Sequence, residues 1–161
     1  MLRLRMTRSF CSKMATKYLP DSEHIVRHIS SQLLIRDDND HITSCFPQAF
    51  ELRPEETYLS ASWLEFFPGT KHDRMVAVVA ATAKARAVKP RHGFAIGNVG
   101  IVKDACGTFG LKIRVIHEPS KKNPNPAYTA VRNYRSDELQ LLELLAAEAW
   151  SELEDAKQYI S

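Results

Sequence analysis

The chain has 161 residues, of which 44% are hydrophobic, and its formal net charge is +3. This length favours one domain, which can bury enough apolar surface to fold without a metal ion or a disulfide. No segment approaches the ~18 consecutive apolar residues of a membrane span, so we expect a soluble domain with no membrane partner. Cys11, Cys45 and Cys106 form no C-x-x-C pattern, and the sequence predicts neither a metal site nor a cofactor.

The charge is distributed unevenly along the chain. Residues 71–135, called the basic block below, carry thirteen Lys and Arg against three Asp and Glu. Residues 136–161 carry one basic and seven acidic side chains, and residues 21–70 carry three and nine. The basic block indicates an anionic partner more strongly than the modest overall charge does.

Residues 1–20 form a basic tail with five Lys and Arg and no acidic residue. An Arg-rich, acid-free segment that contains Ser and Thr is typical of a mitochondrial transit peptide. The alternative, which we favour, is a reading frame taken from too early a start codon, with Met6 or Met14 as the initiator. Both interpretations leave residues 21–161 as a single domain. We expect it in the cytoplasm, or in the mitochondrion if the source is eukaryotic.

The first part of this domain is predicted to consist of short strands. Residues 25–29 are mostly β-branched and predict a strand, and the short apolar stretch 33–35 follows. The charged run at 36–40 indicates a surface turn. Residues 41–52 predict a strand that is interrupted at Pro47, which restricts this strand to a sheet edge or a bulge.

Two helices are predicted in the middle of the chain. Thr70 followed by Asp73 has the spacing of a capping box, and the helix that it opens should run to Val88. Asn98 is a suitable cap for a second helix over residues 99–108.

Further strands are predicted at residues 57–60, 94–96 and 111–116. Because a helix connects the last two, we expect them to be parallel neighbours. Ser136 is predicted to cap a long amphipathic helix that reaches Tyr159. The element order therefore predicts an α+β fold with a small mixed sheet, about three helices and a long C-terminal amphipathic helix.

Two packing predictions follow from small and large side chains. The glycines at 93, 97 and 100 could form a phosphate-cradling loop, but their spacing matches no known phosphate motif. We therefore expect Gly97 and Gly100 to permit close packing of a strand against a helix. Trp150 borders the apolar stripe of the predicted C-terminal helix and should be buried.

The segment that follows strand 111–116 contains residue types that can perform catalysis. His117, Tyr128 and the pair Lys121–Lys122 could supply a base, a proton donor and a positively charged clamp for a phosphodiester. Metal-independent ribonucleases use such residue types. The alternative is a surface turn, since two Asn-Pro pairs lie in the same segment.

The same region also suggests a binding surface. Counterion release favours basic side chains on a polyanion, and aromatic rings can stack on exposed bases. His117 should lie opposite the cationic face of its strand and should therefore pack inside the protein. The predicted nucleic-acid-binding residues are Lys112, Arg114, Lys121, Lys122 and Arg132.

Taken alone, the sequence favours a small domain that binds an anionic partner, preferably nucleic acid, through the basic block. The first alternative is a metal-independent enzyme of phosphodiester or nucleotide chemistry centred on His117, with Tyr128 as a second catalytic candidate. The other alternative is a protein-interaction subunit that presents the acidic face of a helix over residues 136–161.

Overall fold

The computed structural model describes residues 17–160, in which a seven-stranded sheet, a two-stranded ribbon and three α-helices form an α+β domain. The strands are β1 Lys17–Tyr18, β2 His24–Ile29, β3 Leu34–Arg36, β4 Ile42–Cys45, β5 Leu59–Trp63, β6 Gly93–Asn98, β7 Arg114–His117, β8 Tyr128–Arg132 and β9 Glu152–Asp155. The helices are α1 Lys71–Ala85, α2 Val99–Thr108 and α3 Leu139–Leu144, which continues as a π-helical turn over Leu145–Ala149.

The sheet has the strand order β1-β7-β8-β5-β2-β6-β9, and β3 pairs with β4 in the separate ribbon. Every strand pair in residues 17–160 is antiparallel, so the predicted mixed sheet is wrong. The expected parallel contact between β6 and β7 is also wrong. β6 is paired on both sides, with β2 and β9, while β7 lies between β1 and β8.

The first two helices begin where the sequence predicts. The side chain of Thr70 accepts a hydrogen bond from the backbone N–H of Asp73, whose carboxylate accepts one from the N–H of Thr70. Asn98 caps α2 by accepting from the N–H of Ile101. Helix α1 ends at Ala85, three residues before the predicted end, because the next residue is already extended.

The long C-terminal helix is not observed, since the final helix ends at Ala149. The hydroxyl of Ser136 accepts a hydrogen bond from the N–H of Leu52 and therefore does not cap a helix. At the other end, the N–H of Trp150 bonds the carbonyl of Leu145, which closes the π-helical turn. The chain then continues as β9, which satisfies the free backbone edge of β6.

Two hydrophobic cores lie on opposite faces of the sheet. The larger core contains side chains of α2 and α3, and it also contains Trp150, whose predicted burial is confirmed by an exposed fraction of 0%. The smaller core lies under α1 and consists of Val26, Leu64, Met75, Val78, Val79, Phe94, Ile96 and Ala156. The sheet residues of the smaller core come from β2 and β6, and α1 also contacts β5.

The start of the described region is part of the fold. Lys17 and Tyr18 pair with β7, and Leu19 is buried in the larger core. The predictions made for residues 1–16 lie outside the described residues. Among residues 17–160, every helix is too short or too polar to span a lipid bilayer.

Candidate anion-binding cleft

On its side of the sheet, α1 lies over β2 and β6 and also contacts β5. We call the α1-side face of β5, β8 and β7 the open half. On β5, Leu59, Ala61 and Trp63 point into the larger core, so the alternation of a strand directs Ser60 and Ser62 to the open half. The residue opposite Ser62 on β8 is Tyr128. The same face also contains Ala130 and Ile116, which are buried, so Ser60 and Ser62 are its polar residues on β5.

Beside α1 the open half deepens into a cleft of about 510 Å³. Its floor comes from β2, β5 and β8. Three walls surround this floor: the end of α1 at Thr82 to Arg86, the turn from Arg53 to Tyr58, and the segment of Asn123 and Asn125. A volume in the range of ~300–1,000 Å³ is typical of small-ligand sites.

A buried ion pair supports the floor of the cleft from below. The guanidinium of Arg27, which is 2% exposed, donates to the carboxylate of Glu56 at 3.4 Å and to the carbonyls of Ala49, Ser60 and Glu51. The hydroxyl of Ser60 also donates to Glu56, at 2.5 Å. Burial acts to raise the pKa of Glu56, but Arg27, Ser60 and Arg53 outweigh it and leave this pKa lowered. Glu56 is therefore a carboxylate that anchors the turn.

Arg53 and Arg86 give the cleft its positive charge. Burial, followed by the nearby charges of Arg27 and Arg86, lowers the pKa of Arg53 to about 10, so it stays charged at neutral pH. Within residues 17–160, the guanidinium of Arg86 forms no hydrogen bond or ion pair. Glu55 also lines the cleft, but its side chain is exposed at the rim. Arg86 is therefore available to bind an anion.

A pair of histidines lies next to these arginines. The N–H of Lys89 donates to Nδ1 of His92, so the 2.8 Å contact between His28 Nε2 and that atom requires His28 to be the donor. This leaves Nδ1 of His28 as a buried acceptor without a partner in the described residues. Burial, followed by the charges of Arg86 and His92, lowers the pKa of His28 to about 3. His28 therefore lines the cleft as a neutral ring.

Two other polar side chains of the cleft, Asn125 and Tyr128, form hydrogen bonds within the protein. Asn125 donates to the hydroxyl of Ser62 at 2.8 Å and accepts from the N–H of Ala127, so its amide positions the wall. The phenol of Tyr128 donates to that of Tyr58 at 3.1 Å. Burial and this hydrogen bond raise the pKa of Tyr128 far above its usual value, so it acts as a neutral phenol.

The predicted nucleic-acid-binding residues occupy two ends of the β7–β8 hairpin. Arg114 and Arg132 are direct partners across the two strands, and Lys112 is exposed just before β7. Lys121 and Lys122 are exposed in the turn at the opposite end.

Arg132 is already engaged within the protein. Its guanidinium donates to the two carboxylate oxygens of Glu118 at 2.5 and 2.7 Å and lies 4.5 Å from the ring centre of Tyr58. Arg114, Arg132 and Arg135 line a second depression that shares Thr57 and Tyr58 with the cleft.

The two catalytic candidates are not brought together. His117 is the partner of Thr129, and Tyr128 points to the other face of the sheet. Nε2 of His117 lies 2.8 Å from the carbonyl oxygen of Pro126, and its ring packs against Trp63 and Phe66. The geometry therefore provides no shared site for a base at His117 and a proton donor at Tyr128.

The acidic parts of the chain neutralise only some of the basic block. Four of its thirteen basic side chains form ion pairs within the described residues. These are Lys71 with Glu152 and Glu154, Arg91 with Asp40, Lys103 with Asp21, and Arg132 with Glu118. Much of the block therefore remains available to an external anion.

Sequence reasoning missed Arg53, Arg86, Ser60, Ser62 and Asn125 as members of one cleft. The available signal was β5 itself, where Ser60 and Ser62 alternate with apolar residues that should all be buried. Arg53 lies in an acidic part of the chain and so escaped a search by charge.

Among residues 17–160, no three His, Cys, Asp or Glu side chains are grouped as a metal site requires. No protein-family model, curated protein or solved structure matches this chain significantly. By its fold and its cleft, the protein is therefore an α+β domain with an arginine-bearing cleft on an antiparallel sheet.

Proposed function

We propose that this domain binds single-stranded nucleic acid along the open half, with the cleft as the centre of the contact. The observation that carries the proposal is the cleft itself, which holds Arg53, paired with Glu56, and Arg86, whose guanidinium forms no hydrogen bond or ion pair within residues 17–160. The neighbouring depression adds Arg114 and Arg135, so basic side chains follow one continuous surface.

A single strand fits this surface better than a duplex does. Arginine binds phosphate groups strongly because its planar guanidinium can donate two parallel hydrogen bonds to one phosphate. Tyr58 lies between the two depressions and lines both, and Tyr128 lines the cleft beside it. Bases of a single strand can enter a concave site and stack on such rings, whereas stacked base pairs cannot.

The proposal predicts a specific loss of salt-dependent binding. We expect Arg86→Ala with Arg114→Ala to weaken binding of a single-stranded oligonucleotide and to reduce the slope of log K against log salt by about 1.4, from ~0.7 per phosphate contact. Fluorescence anisotropy at several salt concentrations measures both quantities.

The matched control removes the same charge elsewhere. Lys103 lies on α2, on the opposite side of the sheet, and Arg91 pairs with the exposed Asp40. The double variant Lys103→Ala with Arg91→Ala should bind nearly as the parent protein does. If the two double variants lose equal affinity, binding depends on net charge alone and the open half is not the site.

A further inference from the structure

The cleft is closed where α1 stands, and it is open toward the second depression. We infer that it receives the terminal nucleotide of a strand, an inference that rests on the proposed binding of nucleic acid. A chain that runs over Arg114 and past Tyr58 enters the cleft and meets the end of α1 at Thr82 and Arg86. It cannot continue in the same direction, so its last residue occupies the cleft.

The unused polar groups of the cleft suit one nucleotide. Arg86 can bind its phosphate, because no group in the described residues competes for that guanidinium. The hydroxyl of Ser62 accepts from Asn125 and keeps its own hydrogen for a ligand acceptor. Asn123 lines the same wall and has an amide N–H₂ group with no partner in residues 17–160. Donors to a phosphate, a sugar and a base edge are therefore present together.

The volume supports the same conclusion. The cleft holds about 510 Å³, which accommodates a nucleotide-sized group and leaves no room for several stacked bases. The remaining nucleotides would lie in the smaller depression of Arg114 and Arg135. Each nucleic-acid strand therefore places one nucleotide in the cleft, and this nucleotide lies at the end of the strand.

The test compares a linear oligonucleotide with a covalently closed circle of the same sequence. We expect the linear form to bind about tenfold more tightly, the effect of one additional charge-assisted contact. Linear forms with a 5′-phosphate, a 3′-phosphate or hydroxyls at both ends identify the preferred end. A nucleoside monophosphate, added as competitor, should displace the linear form at high concentration.

Two variants separate the cleft from the rest of the surface. Arg86→Ala should abolish the preference for the linear form, while Lys121→Ala with Lys122→Ala should weaken both forms equally. The Arg86 side chain is exposed and forms no hydrogen bond or ion pair within residues 17–160, so this variant should fold.

The outcomes distinguish the two claims. Equal binding of circle and linear form overturns the terminal-nucleotide inference and leaves nucleic-acid binding intact. Absence of binding by both forms overturns the proposed function. A mononucleotide that binds as tightly as the linear strand would make the free nucleotide the ligand and would also overturn the inference.

Discussion

At the scale of single residues, the ion pair of Arg27 with Glu56 has the largest structural consequence. Arg27 lies on a central strand, and its charge is almost fully removed from water. Burial lowers the pKa of Arg27, whereas Glu56 acts in the opposite direction. A buried charge of this kind is tolerated only while its partner and its hydrogen bonds are present.

Removal of Glu56 should therefore be costly. We expect Glu56→Ala to lower the free energy of unfolding by about 3–5 kcal/mol, because Arg27 would remain buried without its carboxylate. Urea denaturation measures this change. The neighbouring Glu55 is exposed, and Glu55→Ala should change stability by less than about 0.5 kcal/mol. Similar costs for both variants would show that the pair does not stabilise the fold.

His28 should make stability depend on pH. Its pKa is about 3 in the folded protein and 6.5 in the unfolded chain, so the unfolded chain binds more protons between these values. The stability due to neutral His28 is complete above pH 6.5 and is lost as the pH falls toward 3. The slope should reach about 1.4 kcal/mol per pH unit.

Thermal unfolding between pH 6.5 and 5 measures this slope before most carboxylates titrate. His28→Gln should flatten the curve in this window. His41→Gln should not, since the side chain of His41 is 76% exposed. An unchanged slope in the His28 variant would mean that the ring is charged in the folded protein at these pH values.

At the scale of elements, the C-terminal segment depends on one close approach. A Cβ atom added at Gly97 would lie 2.9 Å from Cδ2 of Trp150 and 3.1 Å from the carbonyl oxygen of Ala149. The structure thus provides a packing role for Gly97, whereas the added Cβ at Gly100 would approach Asp21. Strand β6 can lie against the end of α3 only because position 97 has no side chain.

Gly97→Ala should therefore lower the free energy of unfolding by about 1–3 kcal/mol through overpacking. Gly107 on α2 provides the control, since a Cβ atom there would meet nothing within 4 Å. Gly107→Ala should stabilise the protein by about 0.5–1 kcal/mol through helix propensity. Chemical denaturation that shows Gly97→Ala to be neutral would contradict the packing role.

Local signals predicted some elements and failed for others. The capping residues Thr70 and Asn98 fixed the starts of α1 and α2, because a cap acts within one helical turn. Ser136 resembled a helix cap equally well, but its hydroxyl accepts a hydrogen bond from the backbone N–H of Leu52, which is distant in sequence. Strand β8 was hidden in the segment read as a loop after His117, because the Asn-Pro pairs end just before Tyr128. The structures of these two segments depend on contacts with residues that are distant in sequence.

At the scale of the whole molecule, the unequal cover of the two sheet faces creates the site. Among the described residues, helices α2 and α3 pack on one face, while α1 packs on the other, over β2 and β6 and beside β5. The basic block could be recognised in the sequence. The sequence did not show which of its side chains lie on which side of the sheet. Lys103 belongs to the far side, and Arg53 joins the cleft from outside the block. The order of the strands in the sheet determines which basic side chains share a surface, and this order could not be predicted from the sequence.

Binding of nucleic acid to the open half of the sheet can be located residue by residue. The experiment is a titration of the ¹⁵N-labelled protein with a single-stranded oligonucleotide, followed by amide NMR spectra. We expect the largest shift changes at Ser60, Ser62, Arg86 and Tyr128, with little change at Lys103 on the opposite side. Largest changes on α2 and α3, or along the edge strand β9, would contradict it.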